Sequence, residues 1–120
     1  MGRPKAAKHC HLRPWLSARP DCSEGRFLQI GGSLLMSDAF KRLTAGAQSC
    51  YLAMALEAAG RIDFSFPLHI AKKFGISNSS LRRHIEELES AGFIEVVERN
   101  ANSRTANAYR FAFGWKMKPP

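Results

Sequence analysis

The sequence predicts an α+β domain, mainly helical and closed by a C-terminal β-hairpin. Three observations carry this. The stretch 67–94, PLHIAKKFGISNSSLRRHIEELESAGFI, holds two helical segments around a glycine turn. Phe93–Arg99 directly after it has strand composition. Beyond a polar run from Asn100 to Asn107, Ala108–Phe113 alternates aromatics with smaller or charged residues, the period of a half-buried strand.

In chain order, Phe27–Ile30 reads as a short strand or extended segment and Gly31-Gly32 as a turn. Ser37 or Asp38 caps a brief helix containing Ala39, Phe40 and Leu43, since a short side-chain oxygen there accepts an otherwise unpaired N–H. Thr44 caps a longer helix to about Ala59, with Tyr51, Leu52, Ala55, Leu56 and Ala59 on one side, and Gly60 stops it. Arg61–Phe66 alternates and predicts a small strand paired with the hairpin. A helix over Pro67–Phe74 opens on a proline, tolerated in the first turn, and ends at Gly75. Ser77 caps the next, in which Leu81, Ile85 and Leu88 share a buried stripe. Ser79, Arg82, Arg83 and Glu86 lie opposite, until Gly92 breaks the helix. Helix, turn, helix and hairpin in this order make a winged helix-turn-helix. Phe64, Phe66, Phe74, Phe93, Tyr109, Phe111 and Phe113 supply its core by their spacing; a stacking platform for single strands is the competing use of such rings.

Together, Phe27-Leu28-Gln29-Ile30, Leu34-Leu35, Ala39-Phe40, Leu43 and FGISNSSLRRHIEELESAGFIEVVER resemble the short winged-helix proteins of bacteria, phages and plasmids. The helix-turn-helix part is similar to MarR-like regulators and to the DNA-binding domains of plasmid replication initiators. The resemblance covers about Phe27 to Phe113 and implies a DNA-binding module with Ser79, Arg82 and Arg83 facing a groove.

Charge agrees with a polyanionic partner. The 120 residues carry 18 Lys+Arg against 10 Asp+Glu, a formal +8. Residues 1–26, 27–66, 67–92 and 93–120 hold net charges of +4, 0, +1 and +3, so the excess lies in the ends and the hairpin. Within the second motif helix both arginines precede Glu86, Glu87 and Glu89, as suits a helix whose amino-terminal half approaches phosphates. The plainer reading of Arg82–Glu86 and Arg83–Glu87 is two i, i+4 pairs on a solvated helix.

Residues 1–26 read as a basic, disordered arm interrupted by Pro4, Pro14 and Pro20, residues 27–113 as the domain, and 114–120 as a basic tail. Gly2-Arg3-Pro4 with Lys5 and Lys8 resembles the core of an AT-hook, against the blander role of non-specific attraction. Trp15 is exposed if the arm is loose and otherwise packs on the domain. His9, Cys10, His11 and Cys22 lack the paired spacing of a structural zinc site, and Cys50 reads as a small core residue. No cofactor motif, metal set or catalytic constellation emerges around His9, His11, His69 and His84, so the chain reads as a non-enzyme. No apolar run reaches the roughly 20 residues of a membrane span and no secretory signal opens the chain, so the expectation is a soluble cytoplasmic protein, and the resemblance implies a bacterial one at the nucleoid.

The resulting expectation is a protein of duplex DNA. Asn78, Ser79, Arg82 and Arg83 are candidates for base contacts, Lys72, Lys73, Ser77, Arg99, Arg104 and Arg110 for the backbone, and Arg3, Lys5 and Lys8 for an arm. A homodimer is one arrangement this reading allows. The rival is a winged-helix protein–protein adaptor, which would present an apolar patch where this chain presents Ser79, Arg82, Arg83 and Glu86. RNA recognised by shape is a third reading.

Overall fold

The computed structural model of the chain describes residues 14–16, 25–98 and 108–117. Arg3, Lys5, Lys8, His9, Cys10, His11, Cys22, Arg99 and Arg104, with the polar run from Asn100 to Asn107, lie outside those residues. Pro14–Leu16 form one 3-10 turn whose Trp15 and Leu16 are exposed.

The helices begin where their caps allow. After α1 (Gly32–Leu35), Ser37 Oγ accepts the Phe40 N–H at 3.1 Å and starts α2 (Asp38–Arg42). Thr44 Oγ1 accepts the Ala47 N–H at 3.2 Å and starts α3 (Ala45–Ala58). Strand β1 (Asp63–Ser65) follows, then α4 (Leu68–Lys73), with Pro67 at its cap, one position before the first turn. Helix α5 (Asn78–Ala91), β2 (Ile94–Glu98), β3 (Ala108–Phe111) and a last turn, α6 (Gly114–Met117), complete the order.

The sheet is antiparallel in the order β1-β3-β2. Tyr109 on the central strand lies opposite Phe64 on one side and Val96 on the other, so the hairpin and the small strand share one apolar face. The register shifts between Val96 and Glu98, and Val97 is exposed. The alternating Arg61–Phe66 segment does pair with the hairpin.

One core joins helices and sheet. Tyr51 meets the ring of Phe93 edge-on at 5.3 Å and that of Phe111 at 5.5 Å, while Phe40 approaches Phe93 at 6.0 Å. Each such pair adds about 0.5–1.5 kcal/mol beyond the area it buries. Cys50 is fully buried among them.

Phe27–Ile30 takes the extended form: it joins no ladder among the described residues, and its first residues face Ala55 and Leu56 of α3, Ala59 and the end of the sheet. Three local expectations differ from the structure. Gly31-Gly32 is not a free turn, since Gly32 opens α1. The buried side of α3 is Ala47, Cys50, Tyr51, Ala53, Met54 and Ala58, whereas Leu52, Ala55 and Leu56 are half-buried and Ala59 is exposed. This helix is apolar on nearly every side, so its own periodicity does not select a face. Finally, β3 stops at Phe111, leaving Phe113 60% exposed, and Phe74 is also largely outside the core. The chain then turns into α6, whose Trp115 stacks on Phe93 at 5.3 Å.

Candidate nucleic-acid interface

The motif is built from two glycine-closed helix ends. At the end of α4 the Gly75 N–H donates to the Lys72 carbonyl at 3.0 Å and the Ile76 N–H to the Ala71 carbonyl at 3.1 Å. This paired closure needs a left-handed residue, and Gly75 takes it with φ of 80°. Ile76 drops into the core and Ser77 Oγ accepts the Ser80 N–H at 3.3 Å, which starts α5 one residue later. Four residues between the helices, Phe74 to Ser77, thus fix their angle.

On α5 the buried stripe is Leu81, Ile85 and Leu88. It packs the helix against α3, α4 and β2. Asn78, Ser79, Arg82, Arg83 and Glu86 are all exposed, at helical spacings that put them on the outward side. The expected base-contact residues are therefore brought together. None of these five is apolar.

The i, i+4 ion pairs of the plainer reading do not form. Arg83 donates instead to Ser80 Oγ at 3.1 Å, one turn toward the amino end. Glu87 is turned away, with its two carboxylate oxygens accepting the Thr44 N–H and Thr44 O–H, each at 2.8 Å. A carboxylate held by two fixed donors is a better-satisfied group than one paired with a mobile exposed arginine. Arg82 is left without an ion-pair partner among the described residues, free for a ligand.

The expected backbone contacts fare unevenly. Lys72 and Lys73 are exposed in the last turn of α4, where they also complement the helix dipole. Ser77 has its oxygen engaged as a cap, though its O–H remains a donor. Arg110 donates through Nε to Asp63 Oδ1 at 2.7 Å across β1 and β3, and Glu95 lies opposite it on β2. That hydrogen bond and the nearby carboxylates hold its pKa above the ordinary arginine value. Arg110 is thus tied into the sheet, with two acidic neighbours.

Sequence reasoning missed three contacts. Glu87 reaches Thr44 across 43 positions, Arg26 donates to the Leu56 carbonyl at 3.3 Å and to Glu57 at 3.1 Å, and the His84 ring lies over Gly46. Burial, with the Arg83 charge adding to it and Glu87 opposing, lowers the His84 pKa. No local pattern signals partners this far apart. Among the described residues no group of three or more His, Cys, Asp or Glu could hold a metal, and no helix is long and apolar enough to cross a membrane. A groove of about 630 Å³ lies between Gly25–Gln29 and the end of α3, with no residue of α4 or α5 in its walls.

A family model described as winged helix-turn-helix DNA-binding matches residues 68–95, which are α4, the glycine turn, α5 and the first residues of β2. A winged helix-turn-helix DNA-binding domain is therefore detected in this chain, and the three-stranded antiparallel sheet agrees with it. The match covers under a quarter of the 120 residues. No curated protein and no solved structure matches the chain.

Proposed function

We propose that the protein binds double-stranded DNA sequence-specifically by laying the amino-terminal half of α5 in a major groove. One observation carries the reading: the outward side of α5 presents Asn78, Ser79, Arg82 and Arg83, while the apolar residues of the same helix are buried. Arginine suits this position because its planar fork matches the O6 and N7 edge of guanine. Lys72, Lys73 and the Ser77 hydroxyl supply phosphate contacts that set register, joined by Arg99 and Arg104 from the segment between β2 and β3. Arg3, Lys5 and Lys8 add attraction that does not depend on sequence. Arg110 acts chiefly through its pair with Asp63.

A regulator of transcription or a replication-associated protein of a mobile element, working at the bacterial nucleoid, is the role this reading gives the chain. It rests on the resemblance of the motif. The adaptor alternative needs an apolar patch on the outward side of α5, and the five residues there are polar or charged.

Selection of bound sequences from a random duplex library tests the proposal. Enrichment of a short motif is expected, and a two-fold symmetric motif would report a homodimer. Absence of enrichment, or equal binding to double-stranded RNA, overturns it.

A further inference from the structure

The capping of α3 is incomplete within its own helix. In the usual reciprocal cap, the N-cap hydroxyl bonds the N–H three residues on, and a Glu or Gln at that position reaches back to the N-cap N–H. Thr44 performs the first half, but the residue three positions on is Ala47, which has no acceptor. Glu87 of α5 supplies the missing carboxylate: one oxygen takes the Thr44 N–H and the other its O–H, each at 2.8 Å. One turn earlier on α5, the His84 ring lies over Gly46, where any Cβ would collide with the imidazole. Two positions of α5 one turn apart, His84 and Glu87, therefore touch the first turn of α3 and its cap.

We propose that Glu87 is a positioning residue for DNA reading, fixing the roll of α5 through its bonds to Thr44. The inference rests on the DNA-binding reading above. The buried stripe of Leu81, Ile85 and Leu88 holds α5 against the core, but apolar contact is non-directional and tolerates rotation about the helix axis. Two hydrogen bonds accepted by one carboxylate from two fixed donors are directional. Arg83 and Glu86 each immediately precede a tethered residue, so any roll permitted at His84 or Glu87 moves the outward side by the same angle. Bidentate contact with a base edge is lost by small misalignment, whereas attraction to phosphates survives it.

The distinguishing quantity is a ratio: affinity for the selected duplex over affinity for a scrambled duplex of equal length. A purely structural role lowers the folded fraction, which weakens both duplexes together and leaves the ratio unchanged. A positioning role lowers the ratio itself. Glu87→Gln and Glu87→Ala are expected to cut it roughly tenfold, within the range of a single missing bidentate base pairing. Removing the hydroxyl partner, Thr44→Val, is expected to act in the same direction without altering α5. Thr44→Ser keeps every donor and acceptor and is expected to retain the wild-type ratio. If the wild type discriminates and the Glu87 variants discriminate equally well, the positioning role is overturned while DNA reading stands. If the wild type shows no preference, the DNA reading falls and this inference falls with it.

Discussion

The backbone of Trp115 rests directly on Gly92. Its N–H donates to the Gly92 carbonyl at 3.2 Å, and a Cβ on Gly92 would stand 2.8 Å from the same nitrogen. Gly92 also closes α5 in the left-handed region, with φ of 87°. This contact brings the indole onto Phe93 and sets where β2 leaves the helix.

Gly92→Ala should therefore cost more than conformational strain alone. We expect about 2–4 kcal/mol, combining a left-handed non-glycine residue with overpacking against backbone. Gly75→Ala is the control, since Gly75 has similar φ and nothing within 4 Å of its Cβ direction. That variant should lose only about 1–2 kcal/mol. Thermal unfolding of both measures the difference.

Binding to duplex DNA should weaken steeply with salt. Neutralising about four to eight phosphates gives a slope of roughly −4 to −7 in log K against log salt. Lys72→Ala, Lys73→Ala and Arg104→Ala should each weaken all sequences alike and flatten the slope by about one. A slope near zero in the wild type would overturn the proposed function.

Arg82→Ala and Arg83→Ala should behave differently. Both side chains are exposed, so no cavity opens, and Arg83→Ala gives up the exposed hydrogen bond to Ser80. Stability should change by no more than a few tenths of a kcal/mol. Sequence preference should relax at one or two base pairs, by about 1–3 kcal/mol. Repeating the duplex selection with each variant reads this directly.

Alkaline pH should destabilise the core through Cys50. Burial pushes its thiol up to about 12 from the ordinary 9.0, so the folded state keeps the proton that the unfolded chain gives up. The stabilisation is fully present below about pH 9 and is lost as pH rises toward 12, at most about 1.4 kcal/mol per unit. Tyr51, raised by burial too, adds a loss of the same sign at higher pH. Denaturation midpoints from pH 7 to 11 should fall less steeply in Cys50→Ala.

Local chemistry made the motif legible. Gly75, Ser77 and Gly92 act on their immediate neighbours, and Leu81, Ile85 and Leu88 repeat on a helix whose other side is polar. Such signals depend on residues within one or two turns, and the structure places each of them as the sequence indicates. The outward position of Ser79, Arg82 and Arg83 follows from the same stripe.

Tertiary packing decided what periodicity left undetermined. Helix α3 is apolar almost all round, so its buried side was chosen by the sheet and by the rings of Phe40 and Phe93 rather than by its own sequence. Phe27–Ile30 has the composition of a strand, but a strand exists only where another offers a ladder, and here the segment lies along α3. Glu87 could pair locally with Arg83; two fixed donors on Thr44, 43 positions away, hold it instead because their directions are set by α3. Sequence by itself determined helix α5 and its polar side; the angle at which that side is held depends on contacts that exist only once distant segments have met.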